Sequence, residues 1–265
     1  MSYEANRYDL KGRVAVITGG ASGIGESCAR LMAARGAKVV IADMNLAQAK
    51  TVADALGGVA VEMDVRHEAN VDGGVEKIEK DVGPVDIVVT SAGVTQLPVP
   101  AEDMPLSEFD RMQEIDLRGT WLTAVGFARP MLKRHRGNIV MIASITGLRS
   151  AAPHSYAAAK AGVISLTTSL AADWGRSGIR VNCVSPGYTM TPLLKSLIER
   201  KERDPVNMKG DTAMGRLVES EEIARAVAFL GSDEASAITG INLVVDCGWL
   251  VGTPWHTYGG IRPPR

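Results

Sequence analysis

A glycine-rich turn between an apolar strand and a helix most constrains the fold of this chain. The segment Thr18–Gly25, with the sequence TGGASGIG, follows the apolar run Val14–Thr18 and leads directly into a segment of helical composition. In such a turn, glycines allow a tight bend, close approach of the backbone to a diphosphate, and close packing of helix on strand. The helix N-terminus presents free N–H groups to the phosphates. The residues predicted to hold a dinucleotide here are Gly19, Ser22, Gly23, Ile24 and Gly25.

Short apolar runs rich in β-branched residues recur along the chain and alternate with helical stretches. Several are apolar at consecutive positions, which is typical of strands covered on both faces. This alternation predicts an α/β fold in one domain spanning residues 1–265: a Rossmann-type, doubly wound parallel sheet of seven strands with helices on both faces. The predicted strands are Val14–Thr18, Lys38–Asp43, Val59–Asp64, Asp86–Thr90, Gly137–Ser144, Arg180–Ser185 and Ile241–Asp246.

Composition excludes several classes of protein. A net charge of −1 over 265 residues gives no basic surface for nucleic acid and no polybasic patch for membranes. The four histidines, His67, His135, His154 and His256, do not stand at metal-ligand spacing, so no metal site is predicted. Three isolated cysteines indicate reduced thiols. A polar N-terminus and the lack of a long apolar run predict neither a signal peptide nor a membrane span, and hence a cytoplasmic protein.

The ends of the second and third predicted strands indicate how the adenosine half of a dinucleotide is held. Asp43 ends the second strand eighteen residues after Gly25, where its carboxylate can bind both ribose hydroxyls and repels a 2′-phosphate. No Arg or Lys stands at Ser22 or directly after Asp43 to receive that phosphate. The sequence therefore favours NAD over NADP. Asp64, followed by Val65, closes the third strand and either lines the adenine site or caps the next helix.

A tyrosine and a lysine four residues apart form the candidate catalytic centre. On a helix, Tyr156 and Lys160 project from the same face. A phenol has a reference pKa of about 10 and is a poor acid at neutral pH. An ammonium about 4 Å away, at an effective dielectric constant near 20, favours the phenolate by about 4 kcal/mol, the order of energy required. Tyr156 can then act as general acid or base while the Ser144 hydroxyl holds a substrate oxygen.

Taken in order from about Arg13 to Gly248, these motifs resemble those of the short-chain dehydrogenase/reductases. The resemblance implies a nicotinamide-dependent alcohol dehydrogenase or carbonyl reductase. In such an enzyme Ser144 orients the substrate, Tyr156 is the acid/base, and Lys160 binds the nicotinamide ribose and favours the phenolate. The further cofactor contacts that the resemblance implies are Asp43, Asp64, Val65, Ala92, Gly93, Tyr156, Lys160, Pro186, Gly187, Thr189 and Thr191.

One position in this pattern departs from the family. Asp116 stands where the family commonly has an asparagine, which is thought to break the local helix and to hold a water that links the lysine to solvent. We predict that Asp116 preserves this relay through its backbone carbonyl, while its carboxylate alters the electrostatics near Lys160. Asp116 is therefore a candidate catalytic residue beside Ser144, Tyr156 and Lys160.

The sequence favours an NAD-dependent oxidoreductase that interconverts a secondary alcohol and a ketone. Two alternatives remain: an NADPH-dependent 3-oxoacyl or other carbonyl reductase, and a dinucleotide-binding protein without turnover. Beside the catalytic centre stand four candidate substrate contacts, several of them hydrogen-bonding, which favour a polyol, sugar or hydroxy acid. They are Gln96, Thr146, His154 and Tyr188.

Two segments near the C-terminus interrupt the strand–helix rhythm. Leu193–Leu217 is charged and rich in turn residues, which fits either a solvated face or a mobile lid over a pocket. The tail, Trp249–Arg265, holds two of the four tryptophans but is too rich in Gly and Pro for a helix. We predict that Trp249–Tyr258 packs across a subunit interface, with Trp255 or His256 near a neighbour's substrate pocket. The Ala-rich helix around Tyr156 and the family resemblance predict a homotetramer.

Overall fold

The computed structural model describes residues 9–262. Residues 1–8, where no signal peptide is predicted, and residues 263–265 of the tail lie outside the described residues. A seven-stranded parallel sheet forms the centre, in the order β3-β2-β1-β4-β5-β6-β9. The predicted fold class is confirmed. The strands of this sheet are β1 Val14–Thr18, β2 Lys38–Asp43, β3 Val59–Glu62, β4 Ile87–Thr90, β5 Gly137–Ile142, β6 Ile179–Pro186 and β9 Asn242–Val245.

Helices cover both faces of the sheet, and two further strands, β7 Thr189–Met190 and β8 Val218–Glu219, form a separate parallel pair. Between α4 and α5 the chain makes a π-helical turn, Gln113–Arg118. The α-helices are α1 Gly23–Ala34, α2 Leu46–Leu56, α3 Glu68–Asp81, α4 Leu106–Met112, α5 Gly119–Arg134, α6 His154–Trp174, α7 Pro192–Glu199, α8 Pro205–Gly210, α9 Ser220–Gly231 and α10 Trp249–Gly252.

The core consists of two apolar layers, one on each face of the sheet. Because side chains alternate along a strand, Ile17 of β1 packs with α1, α2 and α9, whereas Val16 packs with α3, α5 and α6. All five residues of β1 are buried. Consecutive apolar residues of a strand therefore pack alternately into the two apolar layers.

Several strands end earlier than the sequence predicts because a polar side chain turns the chain out of the sheet. The predicted third strand reaches Asp64, but β3 ends at Glu62, and the Asp64 carboxylate accepts the N–H of Arg66 at 3.0 Å. The predicted fifth strand reaches Ser144, but β5 ends at Ile142, and Ser144 caps the following 3-10 turn through the N–H of Thr146 at 3.2 Å. Both changes occur at the edge of the sheet where the candidate site lies.

The two irregular C-terminal segments are more ordered than predicted. The charged segment Leu193–Leu217 contains most of α7 and all of α8, and buries Leu194, Met208 and Leu217 in a small cluster. The prediction that the tail is not helical is wrong: α10 is followed by a 3-10 helix, Thr253–Tyr258. Its glycines lie at the boundaries, because Gly248 and Gly259 take positive φ angles before α10 and after the 3-10 helix.

No α-helix within residues 9–262 combines the length and the apolar character needed to span a lipid bilayer.

Candidate active site

A cavity of about 940 Å³ opens at the carboxyl edge of the sheet. The strand order reverses between β1 and β4, and sheets of this kind bind ligands at such a point. Every residue that the sequence predicts to contact the cofactor lines this cavity, as do the four candidate catalytic residues. The chain thus brings residues from six strand ends and the helices after them to one cavity.

The glycine turn leaves room for a diphosphate at one wall of the cavity. A Cβ atom at Gly19 would lie 2.7 Å from the backbone of Ala92, so a side chain there does not fit. Gly23 takes a positive φ of 57° and meets only Thr191 side-chain atoms, at 3.7 Å or more. The Ser22 side chain makes no capping bond to the first turn of α1, which leaves N–H groups available to an anion. These features fit a dinucleotide diphosphate.

At the adenosine end, Asp43 is held in place by the backbone. Its carboxylate oxygens accept the N–H of Ala21 at 3.2 Å and the N–H of Asn45 at 2.9 Å. The carboxylate therefore stays at the end of β2 and lines the cavity. The bond from the N–H of Ala21 therefore fixes the position of the Asp43 carboxylate relative to the glycine turn.

Asp64 lines the cavity and accepts the N–H of Arg66 in the loop before α3, but it does not cap that helix, whose N-cap residue is His67. The Arg66 guanidinium donates to both of its carboxylate oxygens at 2.6–3.1 Å. The Arg66 side chain, through these hydrogen bonds, holds the pKa of Asp64 below its ordinary value. Arg66 also lines the cavity, but its charge is already paired.

Ser144, Tyr156 and Lys160 meet at the middle of the cavity. Lys160 is only 4% exposed, and its Nζ donates to the carbonyl of Ile142 at 3.1 Å and lies 5.5 Å from the centroid of the Tyr156 ring. The Ser144 hydroxyl lies 3.0 Å from the hydroxyl of Thr146. A serine, a phenol and a fixed ammonium thus share one wall, as general acid–base chemistry on an alcohol or ketone requires.

Asp116 pairs directly with Lys160 through its side chain. Its carboxylate is completely buried, with Oδ1 3.0 Å from Nζ of Lys160, and Oδ2 accepts the N–H of Val94 at 3.3 Å. Burial by itself lowers the pKa of Lys160, but attraction to Asp116 and Tyr156 outweighs it, and the net direction is upward. The Asp116 carbonyl accepts the Thr120 hydroxyl at 2.9 Å. This contact fits the expectation that the carboxylate alters the electrostatics near Lys160, while the relay through the backbone carbonyl stays a prediction.

The N-terminus of α6, which carries Tyr156, is fixed by side chains from two other segments. The Gln96 side-chain oxygen accepts the N–H groups of Ser155 at 3.0 Å and Tyr156 at 3.3 Å. Gln113 donates to the carbonyl and hydroxyl of Ser155 at 2.8 and 2.9 Å, and that hydroxyl donates to the carbonyl of Phe109 at 2.8 Å. The two bonds to Gln96 satisfy N–H groups that a helix N-terminus otherwise leaves unpaired.

Gln113 and Ser155 are positioning residues that the sequence analysis missed. The available signal was Pro153 before α6, because a proline at the N-cap position has no side chain to cap the helix. The cap then has to come from elsewhere in the chain.

The four predicted substrate contacts fall into two groups. Thr146 and Tyr188 line the cavity, whereas Gln96 and His154 do not. Gln96 is buried and occupied with the α6 backbone, and His154 is exposed at the start of α6. We therefore correct the assignment of Gln96 and His154 as substrate contacts, since a position in the sequence shortly after Gly93 or beside Tyr156 does not decide whether a side chain faces the cavity.

Trp249, which the sequence analysis assigned to the tail, also lines the cavity. Its ring packs edge-on against Tyr188 with 5.8 Å between centroids. Arg149 donates to the carbonyl of Leu250 at 2.9 Å and to the hydroxyl of Thr253, which ties the tail to the loop after Ser144.

Further along, His256 bonds Asp211 of the same chain at 2.7 Å between Nε2 and Oδ1. The start of the tail, at Trp249, therefore forms part of the cavity wall within the same chain. Its packing across a subunit interface stays a prediction.

A Rossmann-type sheet with a glycine turn, a strand-ending aspartate and a Ser-Tyr-Lys group defines a dinucleotide-dependent oxidoreductase. Comparison with known proteins agrees. A family model described as enoyl-(acyl carrier protein) reductase matches residues 19–250. The chain belongs to the short-chain dehydrogenase/reductase family, which binds nicotinamide dinucleotides, and the predicted resemblance is confirmed.

Three relatives illustrate the similarity. Cis-4-hydroxycyclohexanecarboxylate dehydrogenase of Sinomonas cyclohexanicum is 41% identical over 89% of this chain and 96% of its own length. A crystal structure of ribose-5-phosphate isomerase from Brucella melitensis has a TM-score of 0.95 and 44% identity, covering 97% of this chain and 100% of that one. A gluconate 5-dehydrogenase from Burkholderia cenocepacia, in complex with NADP and tartrate, has a TM-score of 0.88 and 32% identity, covering 93% and 98%.

Proposed function

We propose that this protein is an NAD-dependent dehydrogenase that interconverts a secondary alcohol and a ketone on a polar substrate. The observation that carries the proposal is the placement of Ser144, Tyr156 and Lys160 in the same cavity as the glycine turn and Asp43. The candidate cofactor site, which would supply hydride transfer, and the acid–base residues, which would supply proton transfer, therefore line one cavity.

The chemistry follows from the residues. A bound nicotinamide dinucleotide accepts or donates the hydride. The Ser144 hydroxyl holds the substrate oxygen, and Tyr156 receives the alcohol proton as the phenolate during oxidation and donates it from its hydroxyl during reduction. Lys160, fixed by the carbonyl of Ile142, favours the phenolate and is placed to bind the nicotinamide ribose. Pro186, Gly187, Thr189 and Thr191, at the end of β6 and beyond it, line the cavity where the carboxamide would bind.

The preference for NAD rests on Asp43, whose carboxylate is fixed at the cavity edge by two backbone N–H groups. A 2′-phosphate brought to this carboxylate would meet repulsion. The nearby cation Arg66 is bound to Asp64 on both oxygens, so it offers little compensation. The Burkholderia relative is described with NADP, and the cofactor is therefore the point most in need of measurement.

The test compares kcat/KM for NAD and NADP in the wild type and in Asp43→Asn. We expect roughly a hundredfold preference for NAD, about 2.7 kcal/mol, which falls at least tenfold in the variant. Asp54→Asn, a change on the exposed side of α2, is the matched control. A wild-type preference for NADP would contradict the cofactor assignment, and an absence of any nicotinamide-linked turnover would contradict the enzymatic function.

Two other functions are disfavoured by particular residues. An NADPH-dependent 3-oxoacyl or other carbonyl reductase conflicts with the fixed charge of Asp43. A binding protein without turnover conflicts with the assembled Ser144, Tyr156 and Lys160. The Brucella relative is named an isomerase. Isomerisation of a sugar phosphate requires no dinucleotide, whereas this chain keeps a complete glycine turn.

A polar substrate is supported by the hydroxyl-bearing wall of Ser144, Thr146 and Tyr188. The Sinomonas relative is named for a hydroxylated cyclohexanecarboxylate, which is a secondary alcohol with a carboxylate. We also propose that the protein is a cytoplasmic homotetramer, as the family resemblance implies. Light scattering that reported a monomer at micromolar concentration would contradict the assembly.

A further inference from the structure

Arginine side chains line the cavity in two different electrostatic states. Arg66 and Arg111 form ion pairs, with Asp64 at 2.6 Å and Glu108 at 3.0 Å. Arg149 and Arg203 also line the cavity, but within residues 9–262 neither has a carboxylate partner. Arg149 bonds the tail, and Arg203 lies in the turn between α7 and α8. The two arginines without a carboxylate partner among the described residues therefore belong to a different part of the cavity wall from Asp43 and Asp64.

Arg203 and the predicted substrate contact Tyr188 line the same cavity. Its guanidinium donates to the carbonyl of its neighbour Glu202 at 3.0 Å. Burial raises the pKa of Tyr188, the positive charge of Arg203 partly opposes that shift, and the negative charge of Asp211 adds to it. The turn between α7 and α8 thus brings a partly exposed arginine to the cavity that Tyr188 lines.

Trp249 adds a second unused donor to the same wall. Its indole N–H is buried and has no hydrogen-bond partner among the described residues. The Trp249 ring packs on Tyr188, and the next residue, Leu250, is held by Arg149 at 2.9 Å. Indole and guanidinium groups only donate hydrogen bonds. The cavity wall that includes Tyr188 therefore carries the Trp249 indole N–H, which has no acceptor among the described residues, and the guanidinium groups of Arg149 and Arg203, which bond neutral oxygens.

The acidic residues that line the cavity do not neutralise this wall. They are Asp43, Asp64 and Asp116, and each is engaged elsewhere, with backbone N–H groups, Arg66 and Lys160 respectively. A buried N–H without an acceptor is unfavourable, and a guanidinium that bonds neutral oxygens gains strong, charge-assisted hydrogen bonds when a ligand oxyanion pairs with it. A guanidinium binds a carboxylate or a phosphate with two parallel hydrogen bonds.

We propose that the substrate alcohol carries an oxyanionic group, a carboxylate or a phosphate ester, which Arg203 binds together with Trp249 and Arg149. The proposal rests on the proposed dehydrogenase function and narrows its substrate class to anionic secondary alcohols. Ser144 and Tyr156 contact the substrate hydroxyl, while Arg203 binds the charged end of the substrate. The distance between the two sites then selects which hydroxyl of the substrate is oxidised.

The experiment uses matched pairs of probes that differ in charge. One arm compares cis-4-hydroxycyclohexanecarboxylate with its methyl ester and gluconate with sorbitol, and a second arm compares ribitol 5-phosphate with ribitol. Binding of each probe to the enzyme with NADH is measured by tryptophan fluorescence, which needs no turnover, and NAD-linked oxidation is measured in parallel. The two arms distinguish a carboxylate from a phosphate as the preferred group.

We expect at least one anionic member to bind about tenfold or more tightly than its neutral partner, a difference of about 1.4 kcal/mol. Arg203→Gln should remove most of that preference, while Arg200→Gln, an exposed arginine already paired with Glu202, should preserve it.

If no anionic probe is preferred in either arm, or if Arg203→Gln keeps the preference, the inference is wrong. If the enzyme oxidised neutral alcohols and showed no preference for anionic ones, the inference would be contradicted but the dehydrogenase function would not. Absence of nicotinamide-linked oxidation of an anionic probe that binds by fluorescence would count against the dehydrogenase function instead.

Discussion

The carboxylate of Asp116 and the ammonium of Lys160 form an ion pair that is sealed from solvent, with 3.0 Å between Oδ1 and Nζ. Lys160 therefore carries a counter-charge on one side and the Tyr156 ring on the other. In a medium of low dielectric constant, a neighbouring carboxylate offsets much of the positive field that a phenolate would experience. The charge balance of the catalytic centre therefore depends on Asp116, Lys160 and Tyr156 together.

Replacing Asp116 with Asn should move the falling limb of the pH–activity profile for alcohol oxidation to lower pH. The falling limb moves because Asp116 raises the pKa of Lys160, and its loss lowers that pKa.

We expect kcat at the new optimum to change less than about tenfold. Asp110→Asn on the exposed face of α4 serves as the control. A shift to higher pH, or a hundredfold loss of kcat, about 2.7 kcal/mol, would show that the carboxylate itself takes part in proton transfer.

Tyr156→Phe should lower kcat by at least roughly a hundredfold, the lower range for loss of a general acid or base. The dissociation constant for NADH should change less than about threefold, because the glycine turn and Asp43 hold most of the dinucleotide. Fluorescence titration with NADH separates the two effects. A variant that kept more than a few per cent of wild-type kcat would move the acid–base role to another residue.

Gln96→Ala should destabilise the protein by about 1–3 kcal/mol, because two N–H groups at the start of α6 lose their acceptor. Urea unfolding measures this, and Gln48→Ala on the exposed face of α2 is the control. Since Tyr156 is one of the two residues released, kcat should fall while the KM for NAD stays unchanged. If stability and kcat both matched the control variant, the cap would have no positioning role.

Trp249→Ala should raise the KM for substrate by about tenfold, or 1.4 kcal/mol, because Tyr188 loses its packing partner in the cavity wall. The dissociation constant for NADH should stay the same. An unchanged substrate KM would remove Trp249 from the substrate site.

Trp255 and Tyr258 are 47% and 85% exposed within the chain, and they test the predicted role of the tail at an interface. Replacing both with Ala should weaken assembly, as measured by light scattering across a dilution series. If the double variant kept the wild-type assembly, this part of the tail would not belong to the interface.

Glu222 should contribute acid-sensitive stability at the start of α9. Side-chain hydrogen bonds from Arg216, at 2.7 and 2.8 Å, and the N–H of Glu219, at 3.0 Å, lower the pKa of Glu222 from 4.5 to about 2. A lowered pKa stabilises the fold above pH 4.5, and this contribution is lost as the pH falls from 4.5 towards 2.

Because the pair is partly exposed, Glu222→Gln should cost less than about 1 kcal/mol at neutral pH and nothing near the acid end of that range. Glu221→Gln, at an exposed position on the same helix, is the control. Urea unfolding at neutral and acid pH measures both variants, and a pH-independent difference would contradict the assignment.

The sequence predicts most of the fold because its strongest signals are local. Consecutive apolar residues in β1 and the glycine turn after it depend on neighbours along the chain, and both lie where predicted. Gln96, Gln113 and Trp249 were misassigned or missed because their contacts join segments far apart in sequence, such as Gln96 to Ser155 and Trp249 to Tyr188. Residue type and spacing do not encode which side of a loop a side chain occupies.

The π-helical turn Gln113–Arg118 gives the position of Asp116 a geometric origin. A π-turn holds one residue more than an α-helical turn, and such insertions often occur at functional sites. Deleting a single residue from this turn would let α4 and α5 join as one regular helix. The faces of α4 and α5 would stay as they are, because the wide turn accommodates the extra residue, but the side chains within the turn, including Asp116, would change direction. The ion pair with Lys160 therefore depends on the length of this segment as well as on its chemistry, so a one-residue deletion would act on the catalytic charge like a substitution of Asp116.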